Sequence, residues 1–153
     1  MANTYTQIHI PAIFAVQNRK CLIHKEWKND LFKYMNGIIQ KRGHKVLAIN
    51  GVSDHVHLFF GQRPDQSLSD LIKEIKLGSM NWINNSGYLN SKFYWQDGYG
   101  AFSYSKSHVG NVIRYIGNQE QHHAEKTFLQ EYTFMLEKYQ IPYDERYLFK
   151  PII

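Results

Sequence analysis

The 153-residue chain is 43% hydrophobic and 20% charged, the balance of a folded globular protein rather than a disordered one, and its length suits a single domain over residues 1–153. Its one cysteine, Cys21, excludes a disulfide framework and a cysteine-built zinc cluster, and no stretch approaches the roughly 18 apolar residues of a membrane span. A net charge of +5 permits a polyanionic partner without demanding one, and aromatic residues at 15% include candidates for stacking on unpaired bases.

Residues 5–16 are rich in strand formers with partial alternation, and Pro11 predicts an edge position or a bulge. Residues 25–41 read as a helix, with Trp27, Leu31, Tyr34, Met35 and Ile38 at helical spacing and Gly43 ending it. A strand over 44–50 follows, and Asn50-Gly51 predicts a tight hairpin turn into the next strand, "DHVHLFFG". The segment "PDQSLSDLIKEIKLGSMNWIN" reads as a second helix, capped by Asp65 or Ser67 and burying Leu68, Leu71, Ile72 and Ile75. Then "KFYWQDGYGAFSYS" supplies one or two short strands around a glycine bend, and residues 107–122 and 124–140 read as helices, the second ended by Pro142. The order strand, helix, strand, strand, helix, strand predicts an α+β, ferredoxin-like (RRM-like) βαββαβ antiparallel sheet. Its two crossover helices cover one face and leave the other free for a site or a C-terminal helix.

Strand alternation divides the third strand between those faces. Val56, Leu58 and Phe60 share the core side. His55 and His57 turn together to the other, with their Cβ atoms roughly 6–7 Å apart given the strand rise. Two imidazoles so placed either share a metal ion or form a hydrogen-bonded structural pair. In the helix over 107–122, Val109, Val112, Ile113 and Ile116 form the packed stripe at about 100° per residue. Tyr115 and Gln119 lie one turn apart along its flank, and Arg114 points nearly the opposite way.

Taken together, "DHVH" on a strand, "YIGNQ" on a late helix and "GYGAFSYSKS" just before that helix resemble the single-tyrosine HUH transposases of the smallest bacterial insertion sequences and their REP-associated relatives. The likeness runs through "NGVSDHVHLFF", "LSDLIKEIKLGSMNWI", "FYWQDGYGAFS" and "IPYDERYL", which is most of the chain. The resemblance implies that His55 and His57 bind a divalent metal, Mg or Mn, with Gln119 as a third protein ligand. It also implies that Tyr115 attacks single-stranded DNA near hairpins at the element ends, leaving a 5′-phosphotyrosine and a free 3′-hydroxyl. Two imidazoles and an amide oxygen would equally accept softer ions, so ligand type alone does not select magnesium. Relatives act as homodimers, so a homodimer without membrane attachment, working on DNA in the bacterial cytoplasm, is the expectation.

Lys73 and Lys76 on the second helix, Lys106 and His108 flanking the start of the tyrosine helix, and Arg114 on it are candidate phosphate contacts; for any single one of them a solvated surface group is the more ordinary reading. Three other readings remain at this point. One is a metal-dependent phosphoesterase or nuclease in which water replaces the tyrosine. Another is a domesticated single-strand endonuclease that processes host repeat hairpins. The third is a non-catalytic RRM-like binding module, against which the absence of RNP aromatics on the middle strands counts.

Overall fold

The computed structural model describes residues 5–103, 109–117 and 130. Its elements are β1 (His9–Ala15), a single 3-10 turn at Gln17–Arg19, α1 (Lys28–Lys41), β2 (Lys45–Val52), β3 (His55–Gly61), α2 (Leu68–Ser86), β4 (Gly100–Ala101) and α3 (Val109–Gly117). The strands form one antiparallel sheet in the order β2-β3-β1-β4. This is the expected βαββαβ arrangement, with β1 and β3 in the middle.

The alternation expected of β3 is present. Val56, Leu58 and Phe60 join Ala12 and Phe14 of β1 in one buried cluster with Leu31, Met35 and Ile39 of α1 and Leu71, Ile72 and Ile75 of α2. The helices belong here because their apolar stripes cover the sheet's apolar side. Ser67 caps α2 by accepting a 3.1 Å hydrogen bond from the Asp70 amide, and Gly87 closes the helix in the left-handed conformation at φ 79°. Asp65, the alternative cap, instead pairs with Arg63 at 2.8 Å. On α1 the buried line runs through Leu31, Met35 and Ile39, while Tyr34 is exposed and stacks on Trp82 of α2 at 5.7 Å. Trp27 stacks on Tyr88 at 5.2 Å, and Trp95 meets Phe14 edge-on at 4.7 Å, both within this helix-side layer.

Two local expectations are corrected. Pro11 lies on a central strand, paired with Phe59 of β3. Its missing N–H costs nothing there, because the odd-numbered residues of β1 direct their polar groups towards β4, as the bonds from the Gln96 amide to the Ala15 carbonyl and from the Phe102 amide to the Pro11 carbonyl require. β4 is two residues long, so Pro11 needs only to accept. The hairpin turn is the second correction. It falls on Ser53-Asp54, with Val52 opposite His55, and Asn50-Gly51 are residues of β2. A Cβ on Gly51 would stand 2.5 Å from the His55 carbonyl oxygen and 2.9 Å from Val56 Cγ1, so glycine serves close interstrand approach there rather than a turn.

The opposite face of the sheet receives α3. Phe59 and Ile116 are buried against each other, with Leu47, Ala48, Ile113 and Tyr115 packed around them. A bulge in β2 between Val46 and Ala48 turns both Leu47 and Ala48 to this face. The helix expected over 107–122 is thus observed across Val109–Gly117. The side chains of Val109 and Val112 lie outside the described residues. So do the rest of that segment and, Gln130 apart, the helix expected over 124–140.

Candidate active site

β3 delivers His55 and His57 to the α3 face, both nearly inaccessible to solvent at 0% and 3% exposure. Their ring centroids are 5.4 Å apart, with the planes inclined at 68°. A metal about 2.1 Å from each coordinating nitrogen would lie roughly 3.2 Å from each ring centre, so two rings up to about 6.4 Å apart can share one ion. The pair meets that limit. His55 Nδ1 is 2.7 Å from Asp54 Oδ1, which makes Nε2 the ring nitrogen turned away from the carboxylate. Among the described residues, no three or more His, Cys, Asp or Glu side chains converge as a metal cluster. The two histidines therefore fit a divalent ion as part of a donor set that other groups must complete. Gln119, the expected third ligand, lies outside the described residues.

α3 brings Tyr115 to the histidines. Its ring meets that of His57 edge-on, at 6.2 Å between centroids and 75° between planes. Tyr115 is half-buried, with its side chain packed against the Phe59–Ile116 cluster. The helix is also tied at its end. Asn50 Nδ2 donates to the carbonyl oxygens of Ile116, at 3.1 Å, and Gly117, at 3.3 Å. Asn50 stands opposite His57 in the β2–β3 register. One side chain thus links the strand beside the histidines to the turn of helix that follows the tyrosine.

Residues 4–119 match the family described as "Transposase IS200 like". The chain belongs to the IS200-like transposase family. Similar solved structures support the fold of this transposase. A candidate transposase from Deinococcus radiodurans R1 gives a TM-score of 0.64 at 21% identity, over 78% of this chain and 95% of that one. A REP-associated tyrosine transposase bound to a REP hairpin gives 0.58 at 15% identity, over 77% of this chain and 70% of that one. No curated protein matches the transposase. No helix among its described residues is long and apolar enough to cross a membrane.

The remaining candidates scatter. Lys73 and Lys76 are on α2, across the sheet from the histidines, where they line an open cavity with Leu77, Trp95 and Tyr99. Lys76 Nζ donates to the carbonyl oxygens of Gln96, at 2.7 Å, and Gly98, at 3.0 Å, tying α2 to the approach to β4. Burial lowers its pKa below the usual 10.5, an effect that neighbouring Asp97 partly offsets. Arg114 is exposed on α3 and donates to Asn111 Oδ1. Lys106 and His108 lie outside the described residues. Two site neighbours were not singled out from the sequence, Asp54 and Asn50. Asp54 carried a usable signal, since a ligating histidine commonly donates its second ring N–H to a carboxylate. Asn50, followed by Gly51, has the composition of a turn, and nothing local signals its bonds to α3.

Proposed function

We propose that this transposase cuts and rejoins single-stranded DNA through a tyrosine-linked intermediate, with Tyr115 as nucleophile. The observation that carries the reading is the approach of the Tyr115 ring to His57 beside the paired imidazoles. A phenol with an ordinary pKa near 10 is a weak nucleophile at neutral pH, so it needs a polarised target. A divalent ion, Mg or Mn under cellular conditions, would be held by His55 and His57 with Gln119, and when bound would withdraw charge from the scissile phosphate and steady the departing oxygen.

In the cleavage step the Tyr115 oxygen forms a bond to phosphorus while the bond to the 3′-oxygen breaks. The phenolic proton leaves to solvent, and the departing 3′-oxygen takes up a proton to become a hydroxyl. The products are a 5′-phosphotyrosine and a free 3′-end. Rejoining is the reverse with a different 3′-hydroxyl, which displaces Tyr115 and returns its proton. No nucleotide cofactor is required, because one phosphoester bond replaces another at each step. The packing of Tyr115 against the Phe59–Ile116 cluster orients the ring for this attack.

The proposed substrate is single-stranded DNA carrying hairpins near the element ends; a REP hairpin bound to a structurally similar tyrosine transposase supports this. A homodimer in one domain over 1–153 is proposed with it, and Lys73, Lys76, Lys106, His108 and Arg114 are the candidate phosphate contacts. Tyr115→Phe is the deciding variant, because it keeps the ring in its apolar seat and removes only the hydroxyl. Cleavage of hairpin-bearing single strands and the covalent protein–DNA adduct should both disappear while Mn(II) binding persists. Hydrolysis at the wild-type rate without an adduct would overturn the mechanism in favour of water attack.

A further inference from the structure

We propose that Asp54 is a positioning residue for the histidine pair, fixing the ring of His55 so that Nε2 faces the ion; this rests on the reading that His55 and His57 hold a divalent metal. Asp54 occupies a hairpin turn, where an aspartate ordinarily turns to water. Here it is only 3% exposed. Burying a carboxylate is costly unless a specific partner compensates it. The partner in place is His55 Nδ1 at 2.7 Å, itself fully buried. An ionised carboxylate only accepts, so in the neutral ring the contact places the proton on Nδ1 and leaves the lone pair on Nε2. That is the tautomer a metal ligand requires.

The backbone of the turn that carries the carboxylate is also held. The Asp54 carbonyl accepts from the Val16 amide at 2.8 Å, and that of Ser53 accepts from the Ile23 amide at 3.0 Å. The turn is thereby pinned to the chain that leaves β1, and its side chain has a fixed base from which to aim. Across the hairpin, Val52 pairs with His55 and Gly51 with Val56, and a side chain on Gly51 would run into the His55 carbonyl. Ring rotation and tautomer of His55 are set by the Asp54 contact, on a backbone held by the pinned turn and the β2–β3 pairing, as a preorganised ligand requires.

The experiment uses the full chain, freed of metal, with Mn(II) as the probe. Free Mn(II) is followed by electron paramagnetic resonance for wild type, Asp54→Ala, Asp54→Asn and His55→Ala. Asp54→Ala should weaken Mn(II) binding about 10–100-fold. Asp54→Asn should recover part of the loss, because its side-chain oxygen still accepts from Nδ1–H without the charge. Long-range nitrogen–proton NMR of metal-free wild type should show His55 protonated on Nδ1, a readout that requires no variant to fold. Protonation on Nε2, or wild-type affinity in a folded Asp54→Ala protein whose His55→Ala counterpart has lost the ion, would overturn the role of Asp54 and leave the metal reading standing. Wild-type protein that binds no Mn(II) would overturn the metal reading itself.

Discussion

Replacing Asn50 by alanine should loosen α3 from the sheet without unfolding the sheet. The substitution deletes two amide-to-carbonyl hydrogen bonds, to Ile116 and Gly117. A net hydrogen bond contributes about 0.5–1.5 kcal/mol, with the more exposed bond to Gly117 at the low end, so the pair together is worth about 1–2 kcal/mol. That corresponds to a roughly 5–30-fold smaller docking constant. The contact of Ile116 with Phe59 remains and keeps the helix bound most of the time. Asn50→Asp should be worse than alanine. It can keep the 2.9 Å acceptance from the Gly51 amide but turns a carboxylate oxygen, instead of an amide donor, on the two carbonyls. Native-state hydrogen exchange separates these outcomes, because local opening is read amide by amide. Protection of the α3 amides should fall in the order wild type, Asn50→Ala, Asn50→Asp, by roughly 5–30-fold at the first step, while β1 and β3 exchange as before. Unchanged α3 protection in Asn50→Ala would refute the clasp. An equal loss across the whole sheet would show that Asn50 stabilises the hairpin and not the helix.

Gly51→Ala should lower the melting temperature by roughly 2–12 °C, from about 1–3 kcal/mol of overpacking against backbone that cannot yield; a wild-type melt would contradict the 2.5 Å approach to the His55 carbonyl. Lys76 carries a pKa below its unfolded value of 10.5, so between the two values the unfolded chain binds more protons and stability rises with pH. Lys76→Met should abolish that rise, and urea melts of the two proteins that stay parallel up to pH 10.5 would contradict it.

The features legible in the sequence were those with a strict period. Alternation along β3 separated Val56, Leu58 and Phe60 from His55 and His57, because any other assignment buries imidazoles under the crossover helices. The strip of α3 containing Ile113 and Ile116 was legible in the same way, and it placed Tyr115 at its edge. What escaped were positions where tertiary contact overrides local preference. Asn50-Gly51 has the composition of a primed turn, yet Asn50 is used to hold a helix 66 residues away and Gly51 to admit a neighbouring strand. Tyr34 shares the helical spacing of Leu31 and Ile38, but its partner is the Trp82 ring on α2, and no periodicity within α1 encodes that contact. Pro11 departs from the edge expectation because a proline needs only a strand side that asks for no donor, and the two-residue β4 leaves it one.

The sheet also divides the protein optically. All three tryptophans, Trp27, Trp82 and Trp95, belong to the layer between the sheet and its two crossover helices. The α3 side has tyrosine and phenylalanine against the sheet in the form of Tyr115 and Phe59. Tryptophan emission therefore reports on the scaffold, and a fluorophore attached to the exposed surface of α3 would report on the tyrosine helix. Recorded together during a titration with DNA or metal, the two signals distinguish movement of the chemistry-bearing helix from any change in the frame that supports it.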